Sequence, residues 1–140
     1  MRNHLFLPLV LACALLLSAC SGNNGNKLDK LNGKWQCDVK ATLALIEQKA
    51  PEEMETMRPL MEGILTVTTA DFNVKGGKVT LAVAGMGETH GFTLESEKGD
   101  TVTLKLDDGT LFIVEVKSDD SILFHEGDDT DKQLFFSRVK

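Results

Sequence analysis

The 140-residue chain contains 21 acidic and 15 basic residues, which gives a formal net charge of −6 at pH 7. A chain of this length is expected to form one domain with its own hydrophobic core. Its negative charge argues against nucleic acids and anionic lipid surfaces as partners, because both repel an acidic protein.

The first 19 residues have the features of a secretion signal. Arg2 provides a basic start, residues 5–17 form an almost unbroken apolar run, and the small residues Ser18 and Ala19 lead into Cys20. The apolar run is 13 residues long. A membrane-spanning helix needs about 20 residues, so we expect the run to direct export rather than to stay as a permanent span.

The segment Leu17-Ser18-Ala19-Cys20 resembles the lipobox of bacterial lipoproteins. The resemblance implies cleavage before Cys20, thioether lipidation of its thiol and acylation of the new amino terminus. Several acyl chains anchor a protein stably without a transmembrane helix. Ser21 is similar to the pattern sorted to the outer membrane of Gram-negative bacteria, so we expect an envelope protein facing the periplasm. The alternative is an ordinary signal peptide with a cysteine near its cleavage point.

The mature chain is expected to begin with a tether, residues 20–30, and to continue with one domain, residues 31–140. Residues 21–26 are polar and rich in glycine and asparagine, which is typical of a flexible linker. Removal of residues 1–19 leaves 121 residues with 14 basic and 21 acidic side chains, a net charge of −7. Cys37 is then the remaining unmodified cysteine, and we expect it to be buried as a small apolar side chain.

Two helices are predicted soon after the first strand. Residues 31–39 read as a strand, residues 42–50 have a short helical pattern, and Pro51 then interrupts the chain. Residues 52–63 resume as a second helical piece with acidic residues in its first turn. Pro59 is expected to kink or restart this piece, so the two pieces are predicted to form a helical insertion.

From residue 64 onward the chain is rich in Val, Thr, Leu, Ile and Phe, in short segments separated by Gly and Asp. This pattern is typical of an antiparallel meander with tight hairpins. The seven further predicted strands are residues 64–74, 78–84, 89–97, 101–106, 111–117, 122–125 and 133–139. Eight strands can close into a small barrel without exposed edges. We therefore expect a mainly β fold, an eight-stranded barrel, with an open curled sheet packed on the two helices as the alternative.

Gly33-Lys34-Trp35 resembles the Gly-x-Trp opening of lipocalins, and Arg138 matches the arginine that packs across that tryptophan in calycin barrels. The resemblance implies a lipocalin-like barrel in which Gly33 permits close approach, Trp35 plugs the base and Arg138 stacks on the indole. These three residues are therefore expected to close the barrel rather than to contact a ligand.

The two-helix insertion is similar to the lid of the fatty-acid-binding branch of these barrels. That branch has ten strands and pairs its carboxylate-binding arginine with a tyrosine, whereas this chain contains no tyrosine. Its ligand chemistry is therefore not carried over.

A methionine stripe marks the second helical piece. Met54, Met57, Met61 and Ile64 fall at helical spacings on one face. Methionine is flexible and polarisable, which suits a surface that accepts varied apolar shapes. Met54, Met57 and Met61 are therefore candidates for binding a small apolar ligand or a lipid moiety. The alternative is that the stripe packs the insertion onto the barrel, whose interior phenylalanine side chains can fill.

An acidic tip separates the last two predicted strands, and it consists of His125, Glu126, Asp128, Asp129 and Asp131. Carboxylates are ligands for hard cations, but this spacing fits no EF-hand loop, so a solvated hairpin is the preferred interpretation. His90 and His125 lack the third ligand that a zinc site would need. No metal or cofactor is expected.

The sequence contains no Gly-x-Ser-x-Gly elbow, phosphate loop or His-Glu-x-x-His motif, so an enzyme is not expected. The leading hypothesis is non-catalytic binding of a small apolar or lipid-like ligand. The alternative is an inhibitor or partner-binding module that recognises an envelope protein through its acidic loops. Periplasmic lysozyme inhibitors are similar in size and anchoring, but their Ser-Gly-x-x-Tyr motif and disulfide pair are absent here.

Overall fold

A computed structural model of the chain describes residues 27–130 and 132–140. The predicted signal sequence, Cys20 and residues 21–26 of the predicted tether lie outside the described residues. In chain order the elements are α1 Lys27–Lys30, β1 Gly33–Cys37, α2 Val39–Lys49, α3 Pro51–Thr66, β2 Thr68–Asn73, β3 Lys78–Val83, β4 Met86–Lys98, β5 Thr101–Leu106, β6 Leu111–Ser118, β7 Ser121–Glu126 and β8 Leu134–Arg138.

The eight strands form a closed antiparallel barrel in sequence order. Each strand pairs with the next, and β8 pairs with β1 with Trp35 opposite Arg138. Closure leaves no open sheet edge. The predicted eight-stranded barrel with two helices after the first strand is confirmed, and the open curled sheet is wrong.

Alternating side chains build the core of the barrel. Val102, Leu104 and Leu106 of β5 are buried, whereas Lys105 between them is exposed, as expected for a strand with one face inward. Aromatic rings from the later strands pack against each other in the barrel interior. The ring centres of Phe112 and Phe124 lie 4.7 Å apart at an interplanar angle of 81°, an edge-to-face contact.

Helices α2 and α3 both begin earlier than predicted, and α3 also ends later, at Thr66. Asp38 caps α2, because its carboxylate accepts a hydrogen bond of 3.0 Å from the amide of Ala41. α3 continues through Pro59 as one helix, so the predicted restart there is wrong. Pro59 lies on the exposed face of α3, where water can satisfy a carbonyl that loses its helical donor.

The start of β2 and the turn before β4 also differ from the sequence prediction. β2 begins at Thr68 rather than at residue 64, because α3 runs to Thr66. The hydroxyl of Thr68 donates a 2.7 Å hydrogen bond to the carbonyl of Ile64 in the last turn of this helix. The β3–β4 hairpin turns at Ala84 and Gly85, whose φ angles are 55° and 75°, so Met86 already belongs to β4.

Residues 27–30, which the sequence places in the tether, form α1 against the barrel. The Lys27 ammonium lies 2.9 Å from the Asp100 carboxylate, and the Lys27 amide donates a 2.8 Å hydrogen bond to Glu97. Leu31, directly after α1, is fully buried. The folded unit therefore includes Lys27, four residues before the predicted boundary.

Candidate functional site

One end of the barrel, here called the closed end, is plugged by Trp35. The ring is 1% exposed, and its Nε1 donates a 2.8 Å hydrogen bond to the carbonyl of Leu31. The guanidinium carbon of Arg138 lies 4.3 Å from the ring centre. This contact has the cation–π geometry that stabilises an arginine over an indole.

Arg138 also ties three chain segments together at the closed end. Its guanidinium donates hydrogen bonds to the carbonyls of Lys30, of Asn32 at 2.7 Å and of Asp119 at 2.9 Å. Gly33 has a φ of 117°, and a Cβ placed there would lie 3.1 Å from Arg138 Nη1. Gly33 therefore leaves the space that Arg138 occupies, which gives the Gly-x-Trp pattern a physical role.

The opposite end of the barrel, here called the mouth, contains a cavity of about 950 Å³ between α3 and the strand ends. Met54, Met57 and Met61, the candidates from the sequence, all line it. Met54 is 1% exposed and Met57 is 44% exposed. The stripe thus runs from the interior of the protein to the surface, and the cavity is reached from solvent.

The rest of the apolar lining comes from segments far apart in the chain. Phe124 and Leu134 are register partners of β7 and β8 and line the cavity from the barrel side. The further apolar side chains of the lining are Ile46, Ala50, Ile64, Leu65, Val83 and Leu111. Sequence reasoning missed all of these except Ile64, because apolar positions on a helix or a strand have the same periodicity whether they face a cavity or a filled core.

Charged side chains surround the mouth of this cavity. Glu126 continues the row of inward-facing residues that includes the buried Ile122 and Phe124 on β7, and it is paired with Phe112. The remaining charged residues of the lining are Glu53, Asp128, Asp129 and Lys132. Glu126, Asp128 and Asp129 of the acidic tip thus line the cavity while staying exposed at the end of β7 and on its connection to β8, whereas His125 does not line it.

The described part of the acidic tip does not have the geometry of a metal site. Within residues 27–130 and 132–140, no three His, Cys, Asp or Glu side chains are grouped so as to hold a metal ion. Nδ1 of His125 donates a 2.9 Å hydrogen bond to the carbonyl of Gly127, and Lys132 lies 3.5 Å from Asp129. Asp131 lies outside the described residues.

His90 and His125 are not brought together. His90 lies on β4, and His125 lies on β7, which pairs with β6 and β8. Nδ1 of His90 donates a 3.1 Å hydrogen bond to Asp107, and this bond raises the pKa of His90 above its usual value. The amide of Gly91 and then His90 lower the pKa of Asp107.

Cys37 lies in the core beside α2. Its side chain is 4% exposed, and its sulfur lies 3.6 Å from the hydroxyl of Thr42. Burial raises the pKa of this thiol, which outweighs the opposite effect of the Thr42 contact. A buried, protonated thiol is a poor nucleophile, so Cys37 is not a candidate for chemistry.

The comparisons with known proteins include a similar solved structure. No family model and no curated protein matches the chain. The crystal structure of Tp0751 (pallilysin) from Treponema pallidum is similar, with a TM-score of 0.53 and 15% sequence identity over 96% of this chain and 99% of that chain. The likeness shows the fold alone. In the described part of the chain, no helix has both the length and the apolar composition needed to cross a membrane.

Proposed function

We propose that this protein is a lipid-anchored, non-catalytic binding protein of the bacterial cell envelope, whose lipocalin-like barrel holds a small apolar or lipid-like ligand at its mouth. The cavity beside Met54, Met57 and Met61 carries the proposal. Its volume of about 950 Å³ falls within the range of about 300–1,000 Å³ that small-molecule sites occupy.

The arrangement of the aromatic residues supports a ligand site at this end of the barrel. Phe112, Phe124 and Phe136 pack edge to face inside the barrel, with ring centres 4.7 and 6.3 Å apart. They fill the interior that eight strands enclose, whereas the space beneath α3 is left open. Exposed apolar surface in a concave site is stabilised by an apolar occupant.

The position of the chain start relative to the mouth supports a particular orientation. Lys27 contacts Asp100 in the β4–β5 turn, and Lys30 lies 3.1 Å from Asp119 in the β6–β7 turn, both near the closed end. Cys20 precedes Lys27 by seven residues, which span at most about 25 Å. An anchor on Cys20 would hold the closed end near the outer membrane and direct the mouth toward the periplasm.

A fluorescence titration tests ligand binding. The chain expressed from residue 20 with Cys20→Ser is titrated with N-phenyl-1-naphthylamine, an uncharged apolar fluorophore, in the absence of detergent. The proposal predicts saturable binding near one molecule per chain, with displacement by alkyl compounds. Emission that rises linearly without saturation would contradict it.

Metabolic labelling with a clickable palmitate analogue tests the anchor. The full chain is expected to be labelled and to fractionate with membranes, whereas Cys20→Ser abolishes both and Cys37→Ser changes neither. Ser21→Asp is expected to move the protein to the inner-membrane fraction. A label that persists in Cys20→Ser would contradict lipidation at this residue.

A second candidate function is recognition of an envelope protein through the same end of the barrel. Leu60 and Met86 are 58% and 78% exposed, and neither lines the cavity, so they are available to a larger partner. A partner held by Glu53, Glu126, Asp128 and Asp129 at the mouth would bind with an affinity that falls as salt rises. Leu60→Asp would weaken such a complex without affecting fluorophore binding in the cavity.

A further inference from the structure

The cavity at the mouth of the barrel is lined by more negative than positive charges. Among the residues that the structure describes, four carboxylates line the cavity, those of Glu53, Glu126, Asp128 and Asp129, against one ammonium group, that of Lys132. Lys132 lies 3.5 Å from Asp129, so its charge is already opposed by a lining carboxylate. Lys49, at the end of α2, donates a hydrogen bond to the carbonyl of Thr130, and counting this charge as well leaves the surroundings negative.

Among these acids, Glu126 lies next to the apolar part of the lining. On β7 the buried Ile122 and Phe124 face the barrel interior, and Glu126 is the next residue of the same parity. It therefore places a carboxylate at the boundary between the apolar lining and solvent. A ligand whose apolar part contacts Phe124 would bring its polar end to this carboxylate.

The start of α3 is the feature that could favour an anion instead. Ala50 and Glu53 both line the cavity, and a helix N-terminus carries about +0.5 of an elementary charge. Glu52 and Glu53 lie in the first turn of α3, and their two negative charges exceed that partial charge. The helix end is therefore negative overall, and an anionic headgroup is disfavoured there.

We propose that the cavity selects amphiphiles with an apolar body and a cationic head, with Glu126 and Glu53 facing the head and the methionine stripe facing the body. This inference rests on the proposed function and names the ligand class of the same site. Exposed ion pairs contribute modestly, so the preference for a cationic over an anionic head of equal chain length should be about three- to tenfold and should narrow as salt screens it.

Displacement of N-phenyl-1-naphthylamine tests the preference. Dodecyltrimethylammonium, dodecanol and dodecanoate are compared below their micelle concentrations at pH 7 and at two salt concentrations. The expected order of affinity is ammonium, then alcohol, then carboxylate. The double variant Glu53→Gln with Glu126→Gln should reduce the ratio of ammonium to carboxylate affinity to near one.

The matched control is Glu55→Gln with Glu62→Gln, which removes two acids from α3 that do not line the cavity. It should leave the ratio unchanged, and melting curves of both double variants verify their folding. Equal affinities, a preference for dodecanoate, or an equal effect of the control variant would overturn the charge selection while leaving cavity binding intact. If the fluorophore itself does not bind, the proposed function fails together with this inference.

Discussion

Arg138 on the last strand lies 4.3 Å from the Trp35 ring on the first strand, and the two residues are register partners across the β1–β8 seam. The contact joins the ends of the meander and plugs the closed end. Because Arg138 also donates hydrogen bonds to the carbonyls of Lys30 and Asn32 before β1 and of Asp119 in the β6–β7 turn, its role here is to hold the barrel together, at the end away from the cavity.

Arg138→Ala is expected to lower the free energy of unfolding by about 2–4 kcal/mol, the combined scale of a cation–π contact and several hydrogen bonds. Urea denaturation followed by Trp35 fluorescence measures the change. Arg58→Ala is the control, since Arg58 makes an exposed ion pair with Glu47 worth at most about 1 kcal/mol. Loss of fluorophore binding with unchanged stability would contradict the closure role of Arg138.

Met54 and Met57 are expected to differ in their effect on stability although both line the cavity. Met54 is 1% exposed, so Met54→Ala should cost about 2–5 kcal/mol. Met57 is 44% exposed, so Met57→Ala should change stability by about 0.5 kcal/mol or less. Thermal melting of the two variants provides the comparison, and equal losses would show that Met57 is a packing residue.

Cys37 should react slowly with Ellman's reagent in the native protein and fast in urea. Burial removes access and raises the pKa of the thiol, so the thiolate fraction is small at neutral pH. The chain expressed from residue 20 with Cys20→Ser supplies a protein in which Cys37 alone reacts. A native rate close to the rate in urea would place Cys37 at the surface.

The His90–Asp107 pair predicts a defined pH dependence of stability. The raised pKa of His90 stabilises the fold below about pH 6.5, the usual histidine pKa, and this contribution is lost as pH rises through the folded-state pKa. The lowered pKa of Asp107 stabilises the fold above about pH 4 and is lost as pH falls. His90 and Asp107 therefore both stabilise the fold between about pH 4 and about pH 6.5.

The measurement is the difference in melting temperature between the wild-type protein and His90→Gln at two pH values. The difference should be larger at pH 5.5 than at pH 8.5. Asp107→Asn should reduce that dependence, because the Asp107 carboxylate is the main cause of the raised His90 pKa and Asp108 and Glu88 contribute less. A difference that does not change with pH would contradict the role assigned to this pair.

The barrel could be predicted because its strands and turns are specified by residues close together in the sequence. The strands show an alternation of apolar and polar residues, as at Val102, Leu104 and Leu106, and the turns are marked by Gly or Asp. A count of eight strands then favours closure into a barrel. The course of α3 was less predictable. A proline inside a helix removes one hydrogen bond and crowds the carbonyl four residues earlier. Whether the helix continues depends on tertiary features such as the exposed position of Pro59.

The candidate site was predictable in part for a similar reason. The spacing of Met54, Met57 and Met61 is a local pattern, whereas Phe124 and Leu134 join the lining through strand register. From the sequence, Glu126 is assigned to the turn after the seventh predicted strand, because charged residues seldom occupy the inward positions of a strand. Its place at the mouth follows from where β7 ends, which a single sequence does not specify to one residue.

The most direct test of the central claim is calorimetric titration of N-phenyl-1-naphthylamine into Met57→Asp and Leu60→Asp. Both variants place a carboxylate on an exposed apolar position of α3, but Met57 lines the cavity and Leu60 does not. Ligand binding beneath α3 predicts that Met57→Asp weakens binding by about tenfold or more, the cost of a charge against an apolar ligand, whereas Leu60→Asp stays close to the parent chain. Equal affinities of the two variants would contradict it.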